Sequence, residues 1–162
     1  MITKRPLQET LLLAVIALGI FFFSAGTASA QLLPQGNVCW TVQKTQDENG
    51  GTSKTFQMKL HLVRSADGKQ ITATGAVNVP NDNALFLTGT GSMVGTKIYM
   101  NLTETHFHKD TWRDTGILQA QMNATTLNGT FFEVGHDFNT DPANRQFDQR
   151  FSAGKITKTT CQ

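Results

Sequence analysis

The sequence predicts an all-β fold, an eight-stranded antiparallel up-and-down barrel closed by a disulfide between Cys39 and Cys161. The first observation behind this prediction is the period-two recurrence of apolar residues past position 37, interrupted by turn residues every eight to fourteen positions. The second is that the two cysteines lie at opposite ends of this run of strands. A disulfide between them would place the first strand beside the last. A two-sheet β-sandwich built from the same strands is the alternative fold.

The first four predicted strands end at turn signals. The most regular is 54–64, with an apolar residue at every second position from Phe56 to Leu62. Asp67 and Gly68 form a turn after it. The four predicted strands are 38–44, 54–64, 70–79 and 84–94.

The second four strands continue the pattern with short connections at residues 95–96 and 125–127. Because the alternation slips at Gly154, we expect a bulge in the last strand there. No connection is long enough for a crossover helix, so an up-and-down meander is the simplest topology. These four predicted strands are 97–108, 116–124, 128–138 and 147–161.

Residues 1–30 have the three parts of a cleavable signal peptide. Lys4-Arg5 gives a positive start, residues 11–23 are thirteen consecutive apolar positions, and residues 28–30 are Ala-Ser-Ala, the pattern that signal peptidase cleaves. Thirteen helical residues span about 20 Å, which is short of the ~30 Å hydrocarbon core of a membrane. We therefore expect an exported protein, periplasmic or secreted, with one β-barrel domain over residues 31–162.

The charge balance of this domain excludes partners that are bound mainly through their negative charge, such as nucleic acid. Removing Lys4, Arg5 and Glu9 from the chain's 14 basic and 12 acidic residues leaves 12 and 11, a net charge of +1. A near-neutral chain without a basic run has no electrostatic basis for binding nucleic acid or anionic lipid. Outward rows such as residues 119, 121 and 123 carry amides, unlike the apolar outer band of an outer-membrane barrel. We expect a barrel that is not embedded in a membrane after processing.

The two ends of the predicted barrel differ in the length of their connections. In a meander, alternate connections emerge at the same end. The longer set is 45–53, 80–83, 109–115 and 139–146, and we call the end that carries it the long-loop end. Because binding residues concentrate in loops held by a rigid scaffold, a pocket is expected at this end.

An export signal followed by eight meandering strands resembles the lipocalin and avidin type of small ligand-binding barrel. Residues 36–40 read Gly-Asn-Val-Cys-Trp, similar to the Gly-x-Trp of lipocalins but with a different spacing. Residues 111–113 read Thr-Trp-Arg and are similar to the loop tryptophan that avidins place near their ligand. The resemblance implies an apolar cavity and a small ligand.

The leading functional hypothesis is a barrel that binds a small, largely apolar molecule through the long-loop end. Trp112, in the charged loop 109–115, is predicted at the entrance, either stacked on a ligand or folded down as an apolar plug. The predicted wall residues are inward-facing and apolar, and they are Phe56, Leu60, Leu87, Met100, Leu102 and Phe131.

His106 and His108 give a lesser alternative, a divalent-metal site. Residues at i and i+2 on a strand share a face, so both imidazoles and Glu104 project to the same side. Imidazole and carboxylate are ligands of zinc, so zinc is the one cofactor that this pattern indicates. Solvated histidines at the rim of the barrel are the competing interpretation.

No catalytic arrangement is recognisable in the sequence. Glu133 and Asp137 share one strand face and His136 lies on the other, so they form no triad. There is no phosphate loop or cofactor fingerprint, and we expect no enzymatic activity. The second hypothesis is therefore another binding protein, a module whose core is filled by phenylalanines and whose long loops bind or inhibit an envelope or extracellular protein.

Overall fold

The computed structural model of the chain describes residues 32–47, 50 and 53–161. The predicted signal peptide at residues 1–30 lies outside them. In the part that is described, no helix is long and apolar enough to cross a membrane. The strands are β1 (Gly36–Asp47), β2 (Lys54–Arg64), β3 (Gln70–Asn78), β4 (Leu85–Val94), β5 (Lys97–Phe107), β6 (Trp112–Asn123), β7 (Gly129–Asn139) and β8 (Phe147–Thr159).

The eight strands form a closed antiparallel barrel. Each strand pairs with its neighbours in sequence, and β1 pairs with β8 to close the wall. Cys39 and Cys161 are disulfide-bonded with a Cα–Cα distance of 5.1 Å, which is within the range that a disulfide requires. The predicted barrel and disulfide are confirmed, and the sandwich alternative is wrong.

Two local predictions need correction. The β5–β6 hairpin is tighter than predicted, because Asp110 Oδ1 accepts a hydrogen bond from the Trp112 N–H at 2.8 Å and turns the chain. Trp112 is therefore the first residue of β6 and does not lie in the loop. The expected bulge lies in β1 instead of at Gly154, because the register shifts between Lys44 and Gln46.

Gly154 has a different role from the one predicted. A Cβ at this position would lie 2.0 Å from the Gln43 carbonyl oxygen and 2.8 Å from the Phe131 ring. The slip in the β8 alternation therefore marks a close approach of β1, β7 and β8, which only glycine permits.

The interior is packed with apolar side chains toward the short-loop end, opposite the long-loop end. Trp40 is fully buried there and donates a hydrogen bond from Nε1 to the Leu127 carbonyl oxygen at 2.8 Å. Leu127 has a φ of 58°, the left-handed conformation that turns β6 into β7. Leu33, just before β1, is also buried. These residues seal the short-loop end.

The inward rows change from apolar to polar toward the long-loop end. On β5, Ile98, Met100 and Leu102 are followed on the same face by Glu104 and His106, and all five are buried. Since buried polar groups need partners, the neighbouring strands must supply them at this end.

Candidate functional site

A cavity of about 170 Å³ lies inside the barrel at the long-loop end. One side of it is apolar and the other is charged. Its lining residues are Val42, Lys44, Phe56, Val77, Val79, Leu85, Glu104, His106, His108, Asp114, Leu118, Glu133 and Arg150. Larger depressions, such as one of about 460 Å³ beside Tyr99, are lined by outward-facing residues of the wall. The interior cavity is the candidate site because it joins an apolar wall to buried ionisable groups.

The predicted wall residues lie at two different depths. Phe56 lines the cavity. The other five are absent from the cavity lining and belong to the packed core, and they are Leu60, Leu87, Met100, Leu102 and Phe131. The period-two pattern assigns a residue to the inner face, but it does not give its depth along the barrel axis.

Trp112 lies at the long-loop end but away from the cavity lining. It is half-buried as the first residue of β6 and pairs with Asn139 at the end of β7. Arg113 donates hydrogen bonds from its guanidinium to the carbonyl oxygens of Asp110 and Trp112, which fixes this turn.

Arg150 is the centre of a buried ionic cluster, here called the Arg150 cluster (Lys44, Glu104, Glu133, Arg150 and Ser152). The guanidinium donates from Nη1 to Glu133 Oε1 and from Nη2 to Glu104 Oε1. Ser152 Oγ donates to Glu133 Oε2 at 2.9 Å, and Lys44 Nζ lies 3.4 Å from the same oxygen. Glu104 and Glu133 are only 1% and 3% exposed.

Glu104 has a strongly altered acidity. Burial, followed by the charge of Glu133, raises the pKa of Glu104 to about 8, although Arg150 and Lys44 act in the opposite direction. Its second oxygen, Oε2, is buried and has no hydrogen-bond partner among the described residues. The raised pKa favours the protonated form of Glu104 at the cavity wall.

Two glycines leave room for the Arg150 cluster. A Cβ at Gly116, which pairs with Glu104 across β5 and β6, would lie 2.7 Å from Glu104 Oε1. A Cβ at Gly135, which pairs with Arg150, would lie 3.3 Å from Arg150 Nε. Larger residues here would compete with the buried charges for space.

A second cluster, here called the histidine cluster (Asp82, His106, His108 and Asp114), lies on the same cavity wall. His108 contacts Asp82 Oδ2 through Nδ1 at 2.6 Å and Asp114 Oδ2 through Nε2 at 2.7 Å. His106 Nδ1 lies 3.3 Å from Asp114 Oδ2, and the two imidazole centroids are 3.9 Å apart. Two histidines and two carboxylates therefore converge from the β3–β4 connection, β5, the β5–β6 connection and β6.

The surroundings shift the acidities of the histidine cluster. Burial lowers the pKa of His108, but its hydrogen bonds to Asp114 and Asp82 outweigh that effect and raise it. Burial acts to raise the pKa of Asp82, yet hydrogen bonds from the backbone of Asn83 and Lys109 and from His108 bring it down to about 2. These shifts favour an ion pair between His108 and Asp82.

The predicted metal ligands are only partly brought together. His106 and His108 lie side by side, and with Asp82 they form a group whose ligand atoms are within 4.8 Å of one another. Glu104 lies outside this group, because Arg150 from β8 binds its carboxylate. His106 is 3% exposed, so the interpretation as a solvated rim residue is wrong for it.

Arg150 and Asp82 were not identified from the sequence. Arg150 lies on the inward row of β8 with Ser152, Gly154 and Ile156, so an arginine in a row of small and apolar residues is the signal that could have found it. Asp82 lies in a connection, where no periodicity assigns a direction to its side chain.

Comparison of the chain with protein-family models, with curated proteins and with solved structures finds no match. The resemblance to lipocalin and avidin barrels therefore stays a prediction. The features of this chain that bear on function are the cavity and the two clusters in its wall.

Replacing Arg150 with methionine is expected to destabilise the fold by about 3–5 kcal/mol, because it removes the guanidinium that donates to both buried carboxyl groups and leaves Glu133 with Lys44 as its remaining cation. Urea unfolding followed by tryptophan fluorescence measures the free energy. Arg145→Met, in the exposed connection between β7 and β8, is the matched control and should change it by less than about 0.5 kcal/mol. Equal stability of Arg150→Met and the native protein would contradict the role of the cluster.

Glu104→Gln is expected to remove a pH dependence of stability. The unfolded chain releases this proton near pH 4.5 and the folded chain near 8, so the native protein loses stability as the pH rises between these values. Glutamine does not titrate. The melting temperature of the variant minus that of the native protein should therefore grow from pH 5 to 8 and then level off. Asp148→Asn, on an exposed carboxyl group, is the control, and a difference that stays constant with pH would refute the expectation.

Proposed function

We propose that this protein is an exported, non-enzymatic barrel that binds one small molecule in the cavity at its long-loop end. The single observation that carries the proposal is the cavity itself, an interior space of about 170 Å³ that has an apolar wall and a polar wall. The Cys39–Cys161 disulfide is compatible with export.

The volume limits the ligand to a very small molecule. Drug-sized ligands occupy pockets of roughly 300–1,000 Å³, whereas an apolar cavity of about 150 Å³ holds benzene. A ligand of about six to eight non-hydrogen atoms therefore suits this cavity. Its apolar body would lie against the side formed by Phe56, Val77, Leu85 and Leu118.

The polar wall favours a hydroxyl group on this ligand. Burial raises the pKa of Glu104, and its Oε1 accepts from Arg150, so in the protonated form of Glu104 the Oε2 oxygen carries the proton. A ligand hydroxyl accepts this hydrogen bond and can donate one to a neighbouring carboxylate. The lining also contains the cations Arg150 and Lys44, but both are paired with Glu133 within the wall. A neutral phenol-like or short alcohol ligand therefore fits better than a carboxylate.

Phenol is expected to raise the melting temperature of the purified protein at millimolar concentration, by more than benzene does, while benzoate has little effect. At a hundred times its Kd, a ligand adds about 2.7 kcal/mol of stability. Val79→Trp, which fills the cavity from its rim, should abolish the effect. Val94→Trp, at an exposed site on β4, should preserve it. No shift with any of the three probes would reject the proposal.

A second candidate function, a protein-binding module, is favoured by one feature of the outer wall. Ile117, Val134 and Phe151 are direct neighbours across β6, β7 and β8, and each is between 37% and 49% exposed. Other exposed apolar residues extend this outer apolar face, and they are Phe132, Phe138 and Phe147. At about 200 Å² for each aromatic side chain, the exposed fractions of the four phenylalanines alone amount to roughly 370 Å², which is within the range of a monomer's largest patch. An apolar face of this kind is chemically complementary to a second copy of itself.

If this face forms a dimer, Val134→Asp should dissociate it, and sedimentation equilibrium measures the mass. Thr130→Asp lies on the same face of β7 outside the apolar set and is the control. A native protein that sediments as a monomer at about 100 μM, a Kd range equivalent to roughly 5–6 kcal/mol, would exclude dimer formation through this face.

A further inference from the structure

The tautomer of each imidazole in the histidine cluster is set by a neighbouring acceptor. This acceptor is the Asn83 carbonyl oxygen for His106 and the Asp82 carboxylate for His108. His106 Nε2 lies 2.8 Å from the Asn83 carbonyl oxygen, which can only accept, so Nε2 carries the proton. His108 Nδ1 lies 2.6 Å from Asp82 Oδ2, a carboxylate oxygen that accepts in the same way. In each histidine, one ring nitrogen therefore donates a hydrogen bond to its acceptor, and the other ring nitrogen contacts a different group.

The remaining nitrogens converge on one oxygen. His106 Nδ1 is 3.3 Å and His108 Nε2 is 2.7 Å from Asp114 Oδ2. A proton on His108 Nε2 satisfies only the contact between His108 and Asp114. The lone pair of His106 Nδ1 then still faces the same carboxylate oxygen. Protonating both rings would place two cations 3.9 Å apart. One divalent cation between the three atoms satisfies all of them.

One of these separations, 3.3 Å between His106 Nδ1 and Asp114 Oδ2, equals the spacing of two ligand atoms around such a cation. Zinc binds histidine nitrogen at 2.0–2.1 Å and carboxylate oxygen at 2.0–2.2 Å, so ligand atoms around a tetrahedral ion lie about 3.3 Å from one another. Metal-bound histidines donate their other N–H to a carboxylate or a backbone carbonyl. His108 with Asp82, and His106 with Asn83, have these two arrangements.

Asp82 is the alternative third ligand, since its carboxylate, His106 and His108 lie within 4.8 Å. However, Asp82 Oδ2 is 3.9 Å from His106 Nε2, a nitrogen that already donates to Asn83. Asp114 is more deeply buried than Asp82. Its second oxygen, Oδ1, is also buried and has no hydrogen-bond partner among the described residues.

We propose that His106 Nδ1, His108 Nε2 and Asp114 Oδ2 bind a divalent transition-metal ion, with Asp82 and the Asn83 carbonyl as positioning groups. Two imidazoles and one carboxylate suit zinc and iron(II), whereas calcium and magnesium prefer all-oxygen sites. All three ligands line the cavity, so the fourth position of the ion faces it and is available to water or to a ligand. This site does not depend on the small-molecule proposal, because its atoms are placed by the protein alone.

The test is calorimetric titration of the purified, EDTA-treated protein with ZnCl₂, with CoCl₂ as a spectroscopic probe. We expect one ion per chain, a Co²⁺ visible spectrum of a four- or five-coordinate site, and no comparable binding of MgCl₂ or CaCl₂. His108→Ala and Asp114→Asn should each weaken zinc binding at least 100-fold. Asp82→Asn should weaken it by about 10–100-fold, as the loss of an orienting partner does.

Two controls separate this site from its alternatives. Glu104→Gln should leave zinc affinity within about twofold, because Glu104 belongs to the Arg150 cluster, and His61→Ala, on the outer face of β2, should have no effect. Circular dichroism checks that each variant is folded, and the half-buried His108 gives the safer of the two histidine variants. Zinc affinity unchanged in both His108→Ala and Asp114→Asn would overturn the proposal. A loss of binding in Glu104→Gln equal to that in Asp114→Asn would overturn this ligand set.

Discussion

The burial of Arg150 between Glu104 and Glu133 is the constraint on which the long-loop end depends. Both carboxyl groups are almost fully buried, and a buried carboxylate costs several kcal/mol without a cation, while a buried protonated carboxyl group still needs hydrogen-bond partners. One planar guanidinium reaches both of them, since it presents several donors in a fixed geometry. The wall carries Gly116 and Gly135 beside these groups, where side chains would collide with them. The charged wall of the cavity follows from this arrangement.

The two ends of the barrel differ in how their interiors are filled, with apolar packing at one end and buried charges at the other. At the short-loop end, the packed apolar side chains, the Trp40–Leu127 hydrogen bond and the Cys39–Cys161 disulfide hold the strands together. A barrel has no open edge, so this half needs no further partner. The other half can therefore carry buried charges that contribute little to net stability but form the charged wall of the cavity. This division matches the general placement of function on loops at one end of a rigid scaffold.

The sequence predicted the fold well because a period of two is a strong signal in strands of nine to thirteen residues. It predicted the site less well, since the site depends on the register between strands. Asp114 lies opposite His106, and Glu104 meets Arg150 from β8, only because of how far each strand is shifted against its neighbours. A pattern within one strand contains no such information. For this reason the sequence groups Glu104 with the two histidines, whereas the structure pairs it with Arg150. For the same reason the sequence does not separate Phe56, which lines the cavity, from Leu60, which lies in the packed core.

The two clusters are electrically connected through a pair of carboxylates. Asp114 of the histidine cluster pairs across β6 and β7 with Asp137, and Arg150 Nε lies 2.6 Å from Asp137 Oδ1. Burial, together with the charge of Asp114, raises the pKa of Asp137 to about 6 although Arg150 lowers it. A cation bound at Asp114, as proposed above, would remove part of this repulsion and favour the ionised form of Asp137, which would in turn strengthen its attraction to Arg150. Asp137 is thus the residue at which the charges of the two clusters meet.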